Sequence, residues 1–303
     1  MSNLLPLFAN NLLPIFLTAG AGYLAGRWLN VDARSISRLV FYVFSPCLIF
    51  DLLATSQLSN GDMLQMIAFT ISCILIVGVL TYAAGRLLKL PRKTMAAVLL
   101  ATMTLNAGNY GLSLNLFAFG EQGLAYASLF FVTSAIVTYT LGVAIASMGS
   151  ASLVDSLKGL VKIPTVYAVI LAVFFVALNW QLPLPLQRTV SLLSDASIPG
   201  MLIILGLQLQ KNGPVKNLRA LALANGMRLI GGPLIALGLV LVFGLQGTAR
   251  QVGITQAAMP TAVLSIVLAT EYDTEPVFVT TAVFVSTLLS PIILTPLLAY
   301  LGA

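Results

Sequence analysis

Leu105-Asn106-Ala107-Gly108-Asn109-Tyr110-Gly111 interrupts an apolar run that extends from residue 94 to residue 118. The flanks read as one transmembrane helix, and this stretch resists it. Gly gives up backbone entropy in a helix, and Asn competes with the helix for hydrogen bonds. In hydrocarbon a freed N–H or C=O is expensive, so a break is tolerated only where it faces protein or a water-filled cavity. A continuous helix whose small residues permit close packing is the alternative. A second interruption, at the matching place in the other half of the chain, favours the break.

The 303 residues are 59% hydrophobic and 8% charged, with a mean hydropathy of +1.00. A soluble chain would carry about a quarter charged residues, so this is an all-α integral membrane protein. The net charge of +6 points to membrane topology and not to nucleic acid, because the basic residues cluster in a few loops. Cys47 and Cys73 both lie in apolar runs and read as small hydrophobes, so neither a disulfide nor a metal site is expected. Histidine is absent, which removes the usual general base and metal ligand. No cofactor is indicated. The N-terminus lacks a basic n-region, so the first apolar run reads as a retained helix.

Ten apolar segments are legible, at about 4–26, 36–54, 64–85, 94–118, 123–148, 164–180, 187–210, 219–244, 251–270 and 276–301. Most reach the roughly 20 residues that a spanning helix needs. Arg27, Arg34 and Arg38, then Arg86, Lys89, Arg92 and Lys93, then Lys158 and Lys162, then Lys211, Lys216 and Arg219 fall in loops on one side. The other side has Arg188 and Arg250. The positive-inside rule then makes the basic loops cytoplasmic and puts both termini outside the inner membrane. The loop after segment 9 departs from this pattern with Glu271, Asp273 and Glu275, but acids count little in that rule.

The second half repeats the first. Pro14 and Pro164 are 150 residues apart, Pro46 and Pro199 are 153 apart, and the pairs Gly108–Pro260 and Glu121–Asp273 are each 152 apart. This offset predicts two five-helix repeats, 1–148 and 164–303, joined by a cytoplasmic linker at 149–163. Five is odd, so the second repeat enters the membrane from the opposite side. Such inverted repeats are the architecture of secondary transporters, with a site at midplane between interrupted helices.

The counterpart of the opening stretch is Gln256-Ala257-Ala258-Met259-Pro260-Thr261-Ala262 in segment 9. Proline breaks a helix interior but suits the first turn of a new one. New half-helices are therefore expected near Tyr110 and near Pro260, with Asn109 capping the first. Each N-terminus carries about half a positive charge and unpaired N–H donors. Two such termini meeting at midplane select a small carboxylate over a cation or a sugar. A simple kink is the plain reading of Pro260 taken alone. Ser45-Pro46 and Ser197-Ile198-Pro199 sit at matching depth in segments 2 and 7, either as kinks that make room or with their serines lining a cavity.

Ionisable residues inside spans are functional candidates. Asp51 and Asp195 lie roughly 6–8 Å outside the proline level at 1.5 Å per residue. They could share a proton, or each could be hydrated at the interface. Arg228 lies about 15 Å into segment 8, where it could hold a substrate carboxylate or serve a structural ion pair. Gly20-Ala21-Gly22-Tyr23-Leu24-Ala25-Gly26 looks superficially like a nucleotide loop, but Gly22 and Gly26 at helical spacing point to helix packing.

Asn106 to Ser113, Ala257 to Val263, and Phe44-Ser45-Pro46 in a ten-helix setting resemble the auxin efflux carrier family. That family includes plant auxin exporters and bacterial permeases for malonate, malate and other organic anions. The resemblance implies broken, crossing helices 4 and 9, an architecture shared with sodium/bile-acid symporters. It also implies an elevator mechanism, in which segments 3–5 and 8–10 slide against segments 1, 2, 6 and 7, in a homodimer within the lipid bilayer. The family's crossover asparagines map onto Asn106 and Asn109, and its second-repeat crossover proline onto Pro260. Plant members place a proline near the first-repeat crossing, where this chain has Gly108, which weakens any transfer of auxin specificity. The expected function is secondary active transport of a small organic anion, bound by Asn106, Gly108, Asn109, Tyr110, Pro260 and Thr261 with Ser45 and Arg228 nearby. Asp51 and Asp195 are the proton-coupling candidates. A sodium-coupled symporter, and from another class a membrane-embedded enzyme or sensor, stand as alternatives.

Overall fold

The computed structural model describes residues 4–55, 60–146, 164–178, 180–208 and 217–303. Among these, regular structure is helical apart from one isolated β-bridge. In chain order the helices are α1 Leu4–Trp28, α2 Ala33–Thr55, α3 Asn60–Leu87 and α4 Arg92–Met103. Then come α5 (107–119) and α6 (121–146), α7 Pro164–Ala177, α8 Leu184–Asp195 and α9 Ser197–Gln208. The last are α10 Leu218–Phe243, α11 Gly247–Ala257, α12 Leu264–Glu271 and α13 Pro276–Leu301. The expected linker at 149–163 lies outside the described residues, as do Lys158, Lys162, Lys211 and Lys216.

This is a multi-pass integral membrane protein. Seven helices are long and apolar enough to cross a membrane, and Pro164–Val176 is a shorter apolar helix. The apolar segments and these spans differ in number for local reasons. The longest stretch, Ala107–Gly142, folds back on itself at Gly120, whose φ of 67° and ψ of −162° are not helical. A Cβ on Gly108 would come within 2.7 Å of the Phe131 ring, so α5 lies directly against α6. The segment 94–118 is split at residues 104–106, and the segment 251–270 is split at 258–263. Neither piece of either segment is long enough to span.

Many hydroxyl groups in these helices bond to their own backbone. Thr18, Thr70, Ser128, Thr133 and Thr287 each donate to the carbonyl four residues earlier, which satisfies the hydroxyl without water. The Ser290 hydroxyl donates to Thr287 O at 2.8 Å. That carbonyl is the one left free by Pro291, which lies inside α13 and has no N–H to offer.

Packing is densest within two groups: α1 with α9 and α2 with α7 and α8, and α11 with the α5–α6 hairpin together with α3 against α4, α6 and α10. Helix association in lipid depends on close approach, since lipid is as apolar as Leu. Glycines make the approach of α1 and α9. A Cβ at Gly206 would fall 1.7 Å from Ala19 O, and one at Gly22 would fall 2.2 Å from Ile203 O. Gly22 is thus the helix-packing glycine its spacing announced.

The loops on the basic side are tied together by polar contacts. Lys93 pairs with Asp273 at 2.6 Å, and the Thr94 hydroxyl donates to Glu275 at 2.5 Å. Asp273, after segment 9, therefore answers Lys93 in the first turn of α4. Asp32 caps α2 by accepting from Arg34 N and Ser35 N. A hydrogen bond from the Ser35 hydroxyl, then those two N–H groups, hold the exposed Asp32 carboxyl below its usual value.

Gly206→Ala should destabilise the protein by about 3 kcal/mol or more, the upper end of overpacking costs, because the obstructing atoms are backbone. Gly20→Ala, where nothing lies within 4 Å, should leave the melting temperature in detergent unchanged or slightly higher.

Candidate functional site

The two breaks meet. Beyond α4, Thr104 is extended at φ −97° and ψ 109°. Asn106 N donates to Pro260 O at 2.8 Å and Ala262 N donates to Thr104 O at 3.0 Å. These reciprocal bonds make an antiparallel bridge of Leu105 with Thr261. Each such bond is worth about 0.5–1.5 kcal/mol net in water. Here the alternative is an unpaired group at membrane depth.

Three of the last four α4 carbonyls find partners across or within the break. Thr104 N and the Thr104 hydroxyl both donate to Leu100 O, and the Thr261 hydroxyl donates to Ala101 O at 2.8 Å. Arg228 Nη1 donates to Thr102 O at 2.6 Å. Its Nη2 donates to Ala257 O, the last carbonyl of α11. Arg228 is 1% exposed and sits in a π-helical stretch of α10, Met227–Gly231. It does not line the cavity described below. Its partners are the ends of two broken helices.

Gln256 ties the start of α5 to α6. Its Nε2 donates to Ala107 O at 3.2 Å and to Ala127 O at 3.3 Å. Gly111 makes room for it, since a Cβ there would be 2.2 Å from Gln256 Oε1.

Both new helices start elsewhere than proline and asparagine chemistry alone predicts. The first opens as a π-helical turn at Ala107, with Asn106 at the cap position, and Gly111 N reaches back to Asn106 O. Asn109 is inside that turn and is not the cap. The second begins at Leu264 after Val263, not at Pro260. The bridge holds residues 104–106 and 260–262 extended, so helix resumes only after it.

A cavity of about 780 Å³ runs from this crossing toward the basic loops. Its floor includes Thr104, Asn106, Gly108 and Asn109, with Val263 and Leu264 from the second break. Ser45 on α2 and Ser134 and Thr138 on α6 form polar walls, and Arg34 and Arg38 on the first turns of α2 stand at the far end. Among the described residues no carboxylate lines it. Asn106 is 3% exposed, and its Nδ2 has no hydrogen-bond partner. An unpaired buried donor is destabilising by about 1–3 kcal/mol.

The sequence candidates therefore divide. Asn106, Gly108, Asn109 and Ser45 line the cavity. Tyr110, Pro260, Thr261 and Arg228 stand behind it. Tyr110 is fully buried with its hydroxyl 3.2 Å from that of Ser290, and Thr261 N donates to the Ser286 hydroxyl oxygen at 3.1 Å. Asp51 and Asp195 lie apart from the cavity but close to each other, with the Ser194 hydroxyl bonded to Asp51. Arg34 and Arg38 entered the sequence reading as topology markers only. Ser134 and Thr138 were missed, although polar residues four apart on one helix face were a usable signal.

A family described as membrane transport protein matches residues 7–298. The chain is 28% identical over 263 residues to an uncharacterized transporter of Methanothermobacter thermautotrophicus, covering 86% of each. It is 26% identical over 270 residues to an uncharacterized transporter of Methanocaldococcus jannaschii, covering 86% of this chain and 87% of that one. Auxin efflux carrier component 1 of Arabidopsis thaliana is 32% identical over 140 residues, which are 44% of this chain and 22% of the plant protein.

Gly111→Ala should force Gln256 off Ala107 O and Ala127 O and lower stability by about 1–3 kcal/mol. Adding Gln256→Ala should recover part of that loss in a double-mutant cycle read by thermal unfolding.

Proposed function

The chain belongs to the membrane transport protein family of the auxin efflux carriers, a family of transporters and not enzymes, and from that premise we propose that it is a secondary active transporter of a small organic anion. The observation that carries this reading is the unpaired Asn106 amide at the floor of a carboxylate-free cavity with Arg34 and Arg38 at its other end. A carboxylate would accept from that N–H. Gly108 and Asn109 bring the positive end of α5 to the same floor, and Val263 and Leu264 bring that of α12. A charge-assisted hydrogen bond is roughly twice as strong as a neutral one. The two arginines raise the local anion concentration by focusing the field.

In the full proposal the chain is two inverted five-helix repeats, 1–148 and 164–303, of ten segments. The broken pairs α4/α5 and α11/α12 cross at the centre. Both termini lie outside, and the cavity opens to the cytoplasm, the side of Arg34 and Arg38. The two packing groups support an elevator, with the crossing group moving against α1, α2, α7, α8 and α9 in a homodimer. The inside-negative potential assists export of an anion by about 2.3 kcal/mol per charge per 100 mV. Asp51, hydrogen-bonded to Ser194, and the neighbouring Asp195 are the proposed proton relay. Malonate and malate are among the candidate substrates.

A thermal-shift panel of mono- and dicarboxylates on purified protein tests the site, because a ligand that binds the folded state raises its stability. An acid that stabilises the wild type should lose its shift in Asn106→Leu and in Asn109→Ala. Asn106→Leu should itself melt no lower than wild type without ligand, since it removes an unpaired donor. A panel in which no organic anion shifts the wild type, or in which both variants respond fully, rejects the site. In reconstituted vesicles, Asp51→Asn or Asp195→Asn should flatten the pH dependence of uptake, and unchanged pH profiles in both would remove the proton relay.

A further inference from the structure

The ends of α4 and α11 face each other with their carbonyl poles. A helix C-terminus carries about half a negative charge, so two together present about one. In broken-helix transporters such unwound carbonyls are where sodium is coordinated. Here the place is taken. Arg228 Nη1 holds Thr102 O and Nη2 holds Ala257 O, one carbonyl from each broken helix. The guanidinium is buried, and among the described residues no carboxylate pairs with it. Its electrostatic neighbour is Cys73 on α3. Its single positive charge therefore matches the two helix ends themselves. The backbone is shaped for it: a Cβ on Gly232 would lie 2.5 Å from Arg228 Nη2 and 2.6 Å from Ala257 O.

We infer that the Arg228 guanidinium is a tethered substitute for a dissociable metal cation, so the crossing is electrostatically complete without sodium. A guanidinium stays charged at every physiological pH and, being covalent, cannot leave during the transport cycle. Its forked donors reach two carbonyls at once, which a spherical cation would have to do by coordination. Whatever drives the carrier must then act elsewhere than at this junction. The inference rests on the crossing geometry and on the transporter reading, but not on which anion is carried.

The test needs no organic substrate, so its failure is separable from failure of the anion site. Thermal unfolding of the wild type is compared in sodium, potassium and choline chloride at equal ionic strength, and the melting temperature should be the same in all. Arg228→Ala should melt lower. Millimolar guanidinium chloride should raise that variant saturably by about 3 °C, while giving the wild type no rise. Sodium should restore the variant in part and choline not at all. Arg228→Lys, which keeps the charge, should show neither response. A sodium-specific rise in the wild type overturns the inference, as does a folded Arg228→Ala indifferent to both guanidinium and sodium. If Arg228→Ala does not fold, Arg228→Lys decides: cation independence supports the substitution, and a new sodium requirement overturns it.

Discussion

Everything at the centre of this molecule follows from the impossibility of leaving a peptide group unpaired in hydrocarbon. Two helices stop short, and water is not there to receive their ends. The solution is mutual. Asn106 N and Pro260 O, Ala262 N and Thr104 O give each break its partner in the other. Thr104, Thr261 and Arg228 take up Leu100 O, Ala101 O and Thr102 O of α4, and Arg228 also takes up Ala257 O of α11. Neither interruption is viable alone, since each presents the groups the other needs.

The same crossing sorts charge. The carbonyl ends of α4 and α11 turn toward Arg228 and away from the cavity. The N–H ends of α5 and α12 turn toward it. One junction thereby has a fixed cation on its buried side and an electropositive floor on its open side. The Asn106 amide, left without a partner, belongs to that open side. A fold optimised only for stability would have paired it or replaced it with an apolar residue. Glycines serve the arrangement where a Cβ would collide: Gly111 against Gln256 and Gly232 against the guanidinium.

Much of this was legible from residues 104–111 and 256–262. Asparagine, glycine and proline in the middle of apolar runs announce breaks, because hydrocarbon tolerates them only for a reason. Asn106, Gly108 and Asn109, which line the cavity, lie in the first of these stretches, whereas Ser45 belongs to a separate Ser-Pro pattern in segment 2 that sequence alone left open between a kink and a cavity wall. The exact starts of α5 and α12 did not follow. Local chemistry favours Pro260 as a first-turn residue and Asn109 as a cap, but the bridge holds both strands extended past those choices. Thr261, Tyr110 and Arg228 are polar and central in sequence, yet they support the crossing from behind. Sequence depth along a helix gives the level of a side chain and not the face on which its partner lies.

The sequence by itself determined the class of the molecule, its membrane residence and the two places where helix must fail, since these depend on composition and on local backbone propensity. Only the tertiary structure decided which orphaned group meets which. That choice brings together atoms more than a hundred residues apart, as Arg228 with Thr102 and Asn106 with Pro260. Pairing at such separation is fixed by how helices pack, and no property of either stretch alone encodes it.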